Sequence, residues 1–127
     1  MLSAAQYRQN LAPDSEHYLQ SRCVRWFDFQ YPGLSNLLFA IPNGGKRSKA
    51  VAGKLKAEGV RKGVADLFLS VPVMGVHGLY LEAKFKTGKQ SPEQQQFQSD
   101  VERMGYQYSE FRSEEEFMQI IKTYLNT

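Results

Sequence analysis

Cysteine is nearly absent from this chain, with Cys23 the only one in 127 residues. A disulfide framework within one chain is therefore excluded, and no Cys/His cluster has zinc-finger spacing. A reducing, intracellular setting is the default expectation. Long apolar runs are missing as well. No stretch reaches the roughly 18 apolar residues a membrane-spanning helix needs, and the opening MLSAAQYRQN lacks the basic-then-apolar layout of a signal peptide. Repeats and low-complexity tracts are absent, and nothing points to a small organic cofactor. What remains fits one folded domain over residues 1–127, with 1–13 expected to be a less ordered extension.

Charge is present, but unevenly spread. The net charge is +3, yet residues 41–90 carry ten Lys/Arg against three acids, while residues 91–127 carry three against seven. The middle of the chain therefore concentrates positive potential, which suits a polyanionic partner. A lysine-rich solvated surface would produce the same count.

Local patterning gives an order of elements. Pro13-Asp14-Ser15 starts a helix that carries Leu19, Cys23, Trp26 and Phe27 at helical spacing and stops at Tyr31-Pro32-Gly33. Residues 36–41 (NLLFAI) read as a buried strand, and Pro-Asn-Gly-Gly follows as a loop. Lys46 to Glu58 predicts a basic helix. Residues 66–71 and 79–85 predict two strands joined by a Pro/Gly loop. Ser91-Pro92 and Gln94 mark a capping box for a helix ending at Gly105. Tyr106 to Phe111 reads as a strand, and a second capping box at Ser113-Glu114-Glu115-Glu116 launches a last helix to about Tyr124. The fold class is α/β, a central mixed sheet with helices.

The two middle strands carry the chemistry. Alternation places Glu82 and Lys84 on one strand face, with the Ala83 carbonyl between them. Asp66 stands at the entry to the neighbouring strand, so pairing of the two strands would bring Asp66 and Glu82 together. Two such carboxylates repel unless a cation lies between them. Mg²⁺ takes hard oxygen ligands of this kind and makes water a usable nucleophile against phosphodiesters. Lys84 could deprotonate or orient that water, or offset charge building on phosphate. A solvated acid–lysine face is the plain alternative.

The ordered motifs resemble the PD-(D/E)XK nuclease superfamily, and within it the VRR-NUC branch, from about Ser15 to Leu125. The carriers are Glu16 in the first helix, Ile41-Pro42-Asn43-Gly44-Gly45 with Lys46-Arg47, and Leu55-Lys56-Ala57-Glu58-Gly59-Val60. Gly63-Val64-Ala65-Asp66, Glu82-Ala83-Lys84, Ser91-Pro92-Glu93-Gln94 and Gly105-Tyr106 complete them. Ala65 stands where the branch pattern has proline, which sets backbone geometry and supplies no ligand.

The resemblance implies a restriction-endonuclease-like core and a Mg²⁺- or Mn²⁺-dependent DNA endonuclease. Asp66, Glu82 and the Ala83 carbonyl would bind metal, Lys84 would be the catalytic lysine, and Glu16 would act as an outer ligand through water. Gln94 would hydrogen-bond within the site. Glu16 also reads as a favourable first-turn acid, and Gln94 as the capping partner of Ser91. Asn43, Gly44, Lys46, Arg47, Lys49, Lys54, Lys62 and Lys86 are the expected DNA contacts, reading backbone and shape rather than sequence. Stand-alone members of the branch, many from phages, resemble homodimers that cut four-way junctions in repair or recombination, acting in the host cytoplasm. A two-fold axis would match a junction, and Phe29, Tyr31, Tyr106 or Tyr108 could form the dimer face, core packing being the plainer reading of each. A flap or restriction-like nuclease with the same site, or a non-catalytic nucleic-acid-binding module, are the alternatives.

Overall fold

The computed structural model describes residues 15–42 and 48–126, so the extension at 1–13 and the segment Asn43, Gly44, Gly45, Lys46 and Arg47 lie outside the described residues. Four strands form one sheet in the order β1 (Leu38–Ala40), β2 (Leu67–Leu69), β3 (Leu79–Ala83) and β4 (Gln107–Phe111). β1 and β2 pair antiparallel, as do β2 and β3. Between β3 and β4 the bonded positions rise together, from Gln107 N–H to Gly78 O up to Lys84 N–H to Phe111 O, each 3.0 Å. That pair is parallel, and the sheet is mixed.

The strands are shorter than patterning suggested. The stretch 36–41 was expected to be a buried strand, but β1 holds three residues and only Leu38 is buried. Residues 32–37 form a 3₁₀ helix instead, and β1 lies at the sheet edge, where Phe39 stays 46% exposed. Val73 and Val76 exchange backbone hydrogen bonds of 3.0 and 2.9 Å around a two-residue turn of Met74 (φ +52°) and Gly75 (φ +84°). A tight hairpin thus closes within the Pro/Gly loop expected before β3.

Chain contacts fall into two compact units, each discontinuous in sequence. One contains residues 15–36, 83–88 and 110–126. Its first helix, α1 (Glu16–Gln30), starts where the Ser15 hydroxyl accepts the Tyr18 N–H. It stops before Pro32, because a residue preceding proline is pushed out of the helical region. The last helix of the chain, Glu114–Leu125, packs against it, and Cys23, Phe27, Phe111, Phe117 and Ile121 are fully buried. Ser113 caps that last helix by accepting the Glu116 N–H. The Glu116 carboxylate, however, accepts from Arg112 N–H (3.1 Å) rather than from Ser113. The expected second capping box is therefore shifted back by one residue on its return arm.

The other unit contains the described parts of Leu37–Glu82 and Lys89–Ser109. Along β2 and β3, Leu67, Leu69, Leu79 and Leu81 are fully buried on one sheet face. Burying four leucines contributes about 1.5–3 kcal/mol each. α2 (Lys49–Ala57), capped by Ser48, buries no residue and holds Lys54 and Lys56 in its last turn, where cations favour the helix dipole. α3 (Pro92–Arg103) begins with the expected capping box and ends just before Gly105. The helix Glu114–Leu125 follows as α4.

Candidate active site

The β2–β3 register pairs Leu67 with Leu81. One step beyond that pair, Asp66 stands opposite Glu82, and opposite residues of an antiparallel pair project from the same face. The face opposite the leucines therefore carries Asp66, Phe68, Tyr80 and Glu82. Aromatic rings pave it: Phe68 lies 4.4 Å from Tyr80 between ring centres, and Phe97 of α3 meets Tyr80 at 5.0 Å. The Phe97 contact lays α3 on this face. Gln94, one helical turn earlier, is thereby carried to Glu82.

Glu82 is 3% exposed, and named donors hold both of its oxygens. Its Oε1 accepts the Asp66 backbone N–H at 3.1 Å, and its Oε2 accepts the Gln94 Nε2–H at 2.9 Å. Gln94 is itself fixed. Its Oε1 accepts the Ser91 N–H at 2.9 Å and its own N–H donates to Ser91 Oγ at 3.1 Å. Gln94 is thus the capping partner of Ser91, and the same side chain also reaches Glu82. Asp66 is tied on its other side as well, its carbonyl accepting the Ile41 N–H at 2.8 Å.

One residue that sequence reasoning used only as part of a motif has a definite task here. Gly63 sits at φ +91°, and a Cβ there would lie 2.6 Å from the Glu93 carbonyl carbon. Only glycine lets the loop before Asp66 press onto the start of α3. Lys62 reaches Glu93 at 3.7 Å beside it. The Glu93 carboxyl is held below the usual carboxylate range, first by its own backbone N–H and then by Lys62. No feature of one sequence signals which backbone a glycine will touch.

The remaining expected residues divide into two groups. In the other unit, Ala83 is fully buried and Lys84 is 6% exposed. Lys84 is followed by a turn closed by Gly88 N–H to Phe85 O, 3.0 Å. In that turn Lys86 adopts φ +54° and its carbonyl accepts an Arg112 guanidinium N–H at 2.8 Å. Glu16 is exposed in the first turn of α1. Lys49, Lys54, Lys62 and Lys86 are exposed to solvent, whereas Asn43, Gly44, Lys46 and Arg47 lie outside the described residues.

The donor chemistry suits a hard cation. Among the described residues no three His, Cys, Asp or Glu side chains converge, and Asp66 and Glu82 are hard oxygen donors of the kind a hard divalent cation takes beside water. A carboxylate accepts at about four positions, so the two N–H bonds to Glu82 are compatible with a bound cation.

Among solved structures, the chain is similar to a VRR_NUC domain protein, with a TM-score of 0.76 over 88% of each chain and 22% sequence identity. The fold is that of a VRR-NUC domain. That likeness agrees with the α/β class and the mixed sheet expected from the sequence. No family model matches the chain, and no curated protein does. In the VRR-NUC fold found here, Asp66 and Glu82 stand opposite each other at the end of the β2–β3 ladder.

Proposed function

We propose that this chain is a Mg²⁺- or Mn²⁺-dependent endodeoxyribonuclease that cuts branched DNA, resolving four-way junctions as a homodimer. The observation that carries the reading is the carboxylate pair. Glu82 is buried, faces Asp66 across the strand pair and is clamped by Gln94. Placing the half-buried Asp66 beside the buried Glu82 costs stability unless a cation offsets the repulsion. A protein that only bound DNA would gain nothing from two acids placed beside phosphates.

Asp66, Glu82 and the Ala83 carbonyl are the residues that would hold the metal, with Glu16 as an outer ligand through water. When bound, the metal supplies Lewis-acid chemistry and a lowered pKa for water. The chain supplies the rest. Gln94 and the Asp66 N–H fix the Glu82 carboxylate so that it is preorganised. Lys84, two residues along the chain from Glu82 and buried, holds the attacking water or offsets charge developing on phosphate. Lys49, Lys54, Lys62 and Lys86, with Asn43, Gly44, Lys46 and Arg47, contact the DNA backbone, each phosphate neutralised adding about 0.9 to the log–log salt slope.

The test is a labelled four-way junction, a flap and a plain duplex, each incubated with Mg²⁺, Mn²⁺ or EDTA. Cleavage of the junction with metal and none in EDTA is expected. Cutting of the flap alone would assign the same site to a flap nuclease, and no cutting of any substrate with metal would remove the enzyme reading. Light scattering at micromolar concentration should find two chains together; a 14.5 kDa species would contradict the dimer.

A further inference from the structure

One face of α1 takes no part in the site above. Tyr18, Arg22, Arg25, Trp26 and Phe29 fall at i, i+4, i+7, i+8 and i+11 and so share a single helical stripe. With Glu114 of α4 they line an open cleft of about 390 Å³. Trp26 is set edge-on against Tyr31 and Phe117, at 5.8 and 6.1 Å between ring centres, which fixes its plane. Phe29 is 80% exposed, far more than a core aromatic would be. Arg22 pairs with Glu114 at 2.6 Å and lies over the Tyr18 ring. Arg25 has no acidic partner among the described residues. The cleft thus offers flat apolar rings beside a surplus of guanidinium charge.

We propose that this cleft binds an unpaired DNA nucleotide, its base stacked against Trp26 and Phe29 and its phosphate at Arg25. Stacking rings interleaved with cations is how single strands are held without regard to sequence. A second copy of the chain fits less well, because a two-fold contact would set this arginine face against itself. The inference extends the nuclease reading by adding a contact for the unpaired strand of a branched substrate. It is tested without cleavage.

Trp26 is the only tryptophan, so its emission reports directly on this cleft. The full chain in EDTA is titrated with an oligothymidylate of about eight nucleotides, within the usual site size of a single-strand groove. Saturable quenching is expected. Phe29→Ser, which alters an exposed side chain and leaves the core intact, should weaken binding at least about fivefold. Arg25→Ala should reduce the log–log salt slope by about 0.7, the share of one phosphate on a single strand. The proposal fails if anisotropy shows the oligonucleotide bound while Trp26 emission is unchanged. It fails also if Phe29→Ser binds as tightly as the wild type, or if Phe29→Ser disperses a two-chain species in light scattering without altering DNA affinity. Normal quenching in a chain that cuts no branched DNA with metal would uphold the cleft and remove only the nuclease reading.

Discussion

Replacing Gln94 by glutamate separates its two tasks. Glutamate serves a capping box as well as glutamine does, since either side-chain oxygen accepts the Ser91 N–H, and a first-turn acid favours the helix dipole. What is lost is the 2.9 Å N–H donated to Glu82, replaced by a second carboxylate against a residue only 3% exposed. A hydrogen bond to a charged group contributes about 1.5–3 kcal/mol. Repulsion adds to the loss, reduced because Gln94 is half-buried and its side chain can swing towards water. A net destabilisation of about 2–4 kcal/mol follows, which lowers Tm by something on the order of 10 °C in a chain of this size. Ser91→Ala, which removes only a cap, should cost about 1 kcal/mol. The sign of the pH effect is fixed. Repulsion raises the folded-state pKa of the new acid pair above the ordinary carboxylate value of about 4.3. The variant therefore matches the wild type best at low pH and loses stability as pH rises through that raised value. Millimolar Mg²⁺ should recover part of the loss. Urea denaturation of both proteins between pH 4 and 8 measures this, and a Gln94→Glu variant as stable as the wild type at pH 7 would refute the clamp.

Gly63→Ala forces a side chain into left-handed backbone and against the Glu93 main chain, so a loss above about 2 kcal/mol is expected from thermal melting. Met74→Asn should do the opposite: Met74 is 97% exposed at a hairpin position with φ +52°, where asparagine is favoured, and a gain of about 0.5–1 kcal/mol is expected. Burial first, then the nearby Glu114, pushes the Cys23 thiol up from 9.0 to about 12. Native protein should therefore resist a thiol reagent at pH 8 and react only when unfolded. Because the folded value is the raised one, the stability from the neutral thiol is fully present below pH 9 and is lost as pH rises towards 12. The urea midpoint of Cys23→Ala should fall less over that range than that of the wild type.

Much of this was legible in the residues, for local reasons. Ser15, Ser91 and Ser113 mark helix starts because a hydroxyl satisfies N–H groups within three residues, and all three do so. The apposition of Asp66 and Glu82 followed from strand alternation once β2 and β3 paired. What failed to show depends on partners distant in sequence. Residues 36–41 look like a core strand, and only the sheet order reveals β1 as an edge with Phe39 exposed. The capping reach of Glu116 to Arg112 depends on the angle at which β4 enters α4, and the approach of Gly63 to Glu93 on where α3 docks. The α1 cleft was hidden because Trp26 and Phe29 read as core residues by type, and only the fold shows Phe29 exposed and both rings lining a cleft with Glu114 of α4.

The central claim is that Asp66 and Glu82 together make a metal-dependent phosphodiester-cleaving site. Its most direct measurement is the single-turnover cleavage rate of a labelled four-way junction by wild type and Asp66→Asn, in Mg²⁺ and in EDTA, with folding of both confirmed by melting. The account predicts cleavage only by the wild type with metal, and a rate at least about a hundredfold lower for Asp66→Asn, as expected when an electrostatic contact to the reacting group is removed. Equal rates for the two proteins, or cleavage that persists in EDTA, would contradict it.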